Sequence, residues 1–87
     1  MFEQAFSPIR IGGITVPNRI FRPAHTANNT PGGRVGERFI AAHEEAARGG
    51  VGLSITGGAA IHWSSMLHPN GLAVWDDASV PGLQQFA

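Results

Sequence analysis

Eighty-seven residues are enough for one small domain and too few for most enzyme folds. Apolar residues make up 43% and charged residues only 14%. That is too little charge for the surface of a free-standing small domain, so the composition reads as a piece of a larger, buried architecture. Six arginines balance six acids, with no lysine and no cysteine, which argues against a nucleic-acid surface, a disulfide framework and a thiolate metal site.

The N-terminal stretch "MFEQAFSPIRIGG" has no basic segment leading into an apolar one. No apolar run approaches the roughly 20 residues needed to cross a bilayer. The chain is expected to be soluble and cytoplasmic, with no membrane partner.

Residues 8 to 17, "PIRIGGITVP", read as a hairpin. Ile9 and Ile11 alternate with Arg10, Gly12-Gly13 is suited to a tight turn of positive φ, and Pro17 closes the second strand. "NRIFR", residues 18 to 22, reads as a further extended run stopped by Pro23. Residues 24 to 36 form a loop rich in Asn, Thr, Pro and Gly.

Residues 36 to 50, "GERFIAAHEEAARGG", carry the helix signal. Phe39, Ile40, His43, Ala46 and Ala47 share one face. Glu37 in the first turn and Arg48 in the last suit the helix dipole. Glu44 and Arg48 are spaced for an ion pair, and Gly49-Gly50 end the helix. "VGLSITGG", residues 51 to 58, is then a short apolar strand. Residues 59 to 75 read as one long loop. Asp76, Asp77 and Ser79 offer caps for a second helix starting near Ser79 or Val80. Strand, helix and strand in this order mean two parallel strands, which need further strands beside them to be covered.

Two glycine groups differ in meaning. Gly49, Gly50 and Gly52 close a helix and open a strand, the reverse of a dinucleotide-binding loop, and so read as structural. Gly57-Gly58 stand at the carboxyl end of a parallel strand, where ligands of α/β folds gather. Two readings compete there: a strand-ending turn, or a bare backbone that a flat ligand can approach. His25 and Thr26 stand at the neighbouring strand end, either as ordinary loop polarity or as the second wall of a site. His43 lies on the apolar helix face and is expected to be packed. His62 and His68 share the long loop without a carboxylate cluster, which favours exposed or substrate-facing roles over metal binding. Ser64-Ser65 lack the context of an activated nucleophile.

Taken in order, "FSPIRIGGITVPNRIFRPAHT", "RFIAAHEEAARGGVGLSITGGAAIH" and "LAVWDD" resemble the N-terminal part of the old yellow enzyme family, the FMN-dependent (β/α)8-barrel oxidoreductases. The look is nearest to the branch of 2,4-dienoyl-CoA reductase and the amine dehydrogenases. The resemblance covers essentially the whole chain. It implies that residues 9 to 16 are the hairpin capping the bottom of the barrel and that "RIFRP" is its first strand. Residues 1 to 87 would then be the incomplete N-terminal portion of a TIM barrel domain, the cap and about two of eight βα units, where a whole barrel takes about 250 residues.

The resemblance further implies that Pro23, Ala24, His25 and Thr26 line FMN, largely through backbone atoms, and that Gly58 borders it from the second strand. Thr26 falls where the family has Thr or Cys beside flavin O4 and N5. In covalent-flavin amine dehydrogenases that position is the Cys bonded to flavin, and a threonine cannot make the bond. No catalytic acid, substrate-binding pair or phosphate loop of the family falls within these residues. The expected whole enzyme takes hydride from NAD(P)H and reduces an activated C=C bond, in an enoyl, enone or dienoyl-CoA substrate. An iron–sulfur cluster would belong only to sequence beyond Ala87. An amine dehydrogenase, or a truncated chain that binds no flavin, are the alternatives, and the 87-residue chain alone is expected to be inactive.

Overall fold

The computed structural model describes all 87 residues. Its first element is the hairpin of β1 (Ile9–Ile11) and β2 (Ile14–Val16), antiparallel with Ile9 opposite Val16. Gly12 alone turns the chain at positive φ, 57°, so Gly13 does not share that role. Val16 is buried, with its side chain close beside Gly52.

The expected extended run over 18 to 22 is a strand only at β3 (Phe21–Arg22). Asn18 is the cause of the late start. Its Oδ1 accepts the Ile20 amide at 3.0 Å and its Nδ2 donates to the Gly50 carbonyl at 2.8 Å. This local turn diverts the backbone from a ladder. Gly52 closes over the same turn: a Cβ there would lie 2.6 Å from the Asn18 carbonyl.

Helix α1 (Glu37–Arg48) follows, buries Phe39, and is terminated by Gly49 and by Gly50 at φ 94°. The expected Glu44–Arg48 pair is replaced by Glu45–Arg48 at 3.9 Å, one residue closer on the same turn. Strand β4 (Leu53–Ser54) then pairs with β3 in parallel, Phe21 with Leu53 and Arg22 with Ser54. The strand–helix–strand unit is therefore parallel, as its order requires. It is shorter than residues 51 to 58 suggested, because Pro23 ends the partner strand after the Ile55 amide has reached the Arg22 carbonyl.

The long loop is not featureless. Strands β5 (Ala59–Ala60) and β6 (Leu72–Ala73) pair in parallel across it. Helix α2 (Val80–Phe86) follows a 3-10 turn at Asp77–Ser79. Asp76 does not cap that turn with its side chain; its carboxylate pairs instead with Arg34.

The sheets are three separate two-stranded pairs, and none closes. Only seven residues are buried, and Phe21 is 57% exposed. The radius of gyration is 14.9 Å, where a compact chain of this length has about 12 Å. The molecule is elongated, 46 × 24 × 22 Å, and leaves large apolar side chains uncovered. None of its helices is long and apolar enough to cross a membrane.

Candidate functional site

The carboxyl ends of β3 and β4 lie side by side. From β3 the chain runs through Pro23 and Ala24 to His25 and Thr26; from β4 it reaches Gly57 and Gly58. The Gly58 amide donates to Thr26 Oγ1 at 3.1 Å. A Cβ on Gly57 would fall 2.6 Å from the His25 carbonyl oxygen and 2.7 Å from Thr26 Cα, so glycine is what allows this approach. A Cβ on Gly58 would meet nothing nearer than Thr26 Oγ1 at 3.6 Å. The first glycine joins the two strand ends, and the second presents bare backbone.

Two loops frame this rim. In the first, Asn28 holds a left-handed conformation at φ 50°, the one non-glycine residue at positive φ. Buried Thr30 donates both its amide and its hydroxyl to the Asn70 carbonyl, at 3.0 and 2.8 Å. Arg34 reaches the Ala73 carbonyl and forms a 2.7 Å ion pair with Asp76. Its guanidinium also lies 5.9 Å from the Trp75 ring centre. Residues 26 to 34 are thus stitched to residues 70 to 76. Between the loops, a cleft of about 250 Å3 runs from Thr26, Asn28 and Gly58 to Met66 and His68.

His25, Thr26 and Gly58 are brought together, as the sequence suggested. Pro23 and Ala24 are exposed and lead into the rim without lining its clefts. His43 is half-buried and packed, with its ring centre 4.7 Å from Phe39 and 4.9 Å from Phe86 and its Nδ1 3.2 Å from Ser54 Oγ. Burial lowers its pKa from the usual 6.5, and the nearby Arg22 charge lowers it further. His62 and His68 are exposed on the loop. Each accepts a local amide at Nδ1, from Ser64 at 3.2 Å and Asn70 at 3.0 Å.

Asn28 stands in the polar run with His25, Thr26 and Asn29 that marks a candidate site edge in the sequence, whereas Thr30 has no such signal. An Asn-Asn pair in a loop is a signal for a left-handed residue, but no local pattern marks Thr30, whose partner lies 40 residues away.

The bare backbone at Gly58 admits a planar face. Thr26 Oγ1 accepts the Gly58 amide and makes no hydrogen bond as donor within the chain, leaving its proton for an acceptor.

Residues 4–87 match the family described as NADH:flavin oxidoreductase / NADH oxidase. The chain belongs to this family. The chain is 45% identical over 58 residues to the N,N-dimethylglycine/sarcosine dehydrogenase of Chromohalobacter salexigens, covering 66% of this chain and 8% of that protein. Its fold superposes on 2-naphthoyl-CoA reductase with a TM-score of 0.94 and 28% identity, over 99% of this chain and 13% of the reductase. The old yellow enzyme homologue of Zymomonas mobilis gives 0.73 and 30%, over 91% and 22%. The expected old yellow enzyme resemblance is borne out. As a NADH:flavin oxidoreductase family member, the chain spans less than a quarter of the length of each of these relatives.

Proposed function

We propose that residues 1 to 87 form the cap hairpin and the first two βα units of an FMN-dependent (β/α)8-barrel reductase. The reductase would transfer hydride from NAD(P)H to an activated C=C bond. The juxtaposition of the Thr26 hydroxyl and the bare Gly58 backbone at adjacent strand ends carries this reading. In it, the backbone of His25 borders the isoalloxazine with Pro23 and Ala24 leading into it, Thr26 donates a hydrogen bond to it, and Gly58 permits contact with its plane. FMN when bound supplies a hydride carrier between the two substrates. This chain's residues orient it and exclude water from one side. The likeness to 2-naphthoyl-CoA reductase supports a CoA thioester among the enoyl, enone and dienoyl-CoA substrates of this reading.

A second reading is favoured by one observation, the 45% identity to a dimethylglycine/sarcosine dehydrogenase. In it the substrate is a small amine, and flavin is held without the covalent link that Thr26 cannot form.

The complete flavoprotein containing residues 1 to 87 decides between them. Under anaerobic conditions NADH or NADPH should bleach its flavin and an enone or enoyl-CoA should restore the colour. Bleaching by dimethylglycine, with no response to reduced nicotinamide, would favour the second reading. Residues 1 to 87 expressed alone should be colourless and inactive.

A further inference from the structure

Arg22 is the only charged residue in the β3–β4 pair, and its Nη1 is sealed from solvent without a hydrogen-bond partner. Its register partner Ser54 contacts His43 of α1. Partnered residues of a parallel pair share a face, so Arg22 points into the layer between strands and helix. The depressed pKa of His43, which Arg22 contributes to, agrees with this placement.

None of the chain's ion pairs includes Arg22. Three acids are committed elsewhere: Glu3 to the N-terminus, Glu45 to Arg48 and Asp76 to Arg34. Glu37, Glu44 and Asp77 are exposed. The far edge of β3 has no strand partner, since β3 pairs only with β4. A buried guanidinium is tolerated when a carboxylate meets its planar fork.

We propose that Arg22 pairs with an Asp or Glu of the strand–helix unit, outside residues 1 to 87, that closes on the free edge of β3. This rests on the barrel reading, in which a further unit of the same polypeptide lies beside β3. The relatives supply the length for it, because the chain spans 13% of 2-naphthoyl-CoA reductase.

The test uses thermal unfolding of the complete flavoprotein, with flavin bound and removed. Arg22→Met should lower the melting temperature by several degrees in both states, and Arg22→Lys should lower it less. Arg22→Glu should be rescued by a second-site change of one acid, in the unit beside β3, to Lys or Arg. An Arg22→Met protein as stable as its parent would overturn the proposal. So would a loss seen only with flavin bound, which would assign the guanidinium to an anionic group of the cofactor, or rescue of Arg22→Glu only from within residues 1 to 87. A parent protein that binds no flavin defeats the functional reading, yet its unfolding still reports on Arg22.

Discussion

The amide of Gly58 donates to the hydroxyl oxygen of Thr26 at 3.1 Å, joining two parallel strand ends that lie 32 residues apart in the chain. This bond occupies a lone pair of the Thr26 hydroxyl, which donates to no group of the chain. In the proposed FMN site, a donor at this position favours the electron-rich reduced state. A hydrogen bond to a charged group contributes about 1.5–3 kcal/mol, and about 1.4 kcal/mol corresponds to roughly 30 mV for a two-electron couple. In the complete flavoprotein, Thr26→Ala should lower the flavin potential by roughly 30–60 mV, and Thr26→Ser should restore most of it. Potentiometric titration checks this; an unchanged potential in the alanine variant would remove Thr26 from the role.

The two adjacent glycines should respond differently to the same substitution. Gly57→Ala places a Cβ 2.6 Å from the His25 carbonyl and must push the strand ends apart, at a cost of about 1–3 kcal/mol. Gly58→Ala meets only the Thr26 hydroxyl at 3.6 Å, an ordinary contact. It should leave stability near that of the parent while weakening flavin retention. Denaturant unfolding and flavin titration on both variants separate the two effects. Equal stability losses would show that the glycines have the same role.

Thr30 holds the first loop to the second through the Asn70 carbonyl. Thr30→Val keeps the shape and the amide bond and removes the hydroxyl donor. The expected loss is about 1 kcal/mol, accompanied by faster amide exchange in residues 26 to 34. Unchanged exchange there would mean that the Thr30 amide and the Arg34–Asp76 pair suffice to keep the loops together.

His43 predicts a pH response. Its folded pKa lies below the usual 6.5, first through burial and then through Arg22. Below pH 6.5 the unfolded chain therefore binds the proton more readily than the folded one, and stability falls as pH drops from there through the folded pKa. Above pH 6.5 this contribution is fully retained. His43→Phe, which keeps an aromatic ring between Phe39 and Phe86, should lose this component of the acid response. A parent and variant with parallel stability curves between pH 5 and pH 7 (a window taken from the ordinary range of histidine titration) would falsify the assignment.

Much of the framework was legible because it follows from local chemistry. The periodicity of Phe39, Ile40 and His43 marks α1, Gly50 marks its end, and Pro23 marks the end of β3. A helix between two apolar runs implies parallel strands, and parallel strands place Thr26 and Gly58 on one rim. What local chemistry could not reveal depends on distant partners. Asn18 shortens β3 because its side chain reaches Gly50. Asp76 leaves its capping position because Arg34 is within reach. Ala59–Ala60 and Leu72–Ala73 become strands only by meeting each other.

The sequence by itself therefore determined the type and order of the hairpin, β3, α1, β4 and α2 and the residue types at the ends of β3 and β4, since these depend on backbone preferences and hydrophobic period. Only the tertiary structure decided which glycine closes the rim and which leaves it open, that the Thr26 hydroxyl donates to no group of the chain, and that Nη1 of half-buried Arg22 is sealed from solvent without a partner. Each of those is a distance between residues far apart in the chain, and such distances are set by packing rather than by local propensity.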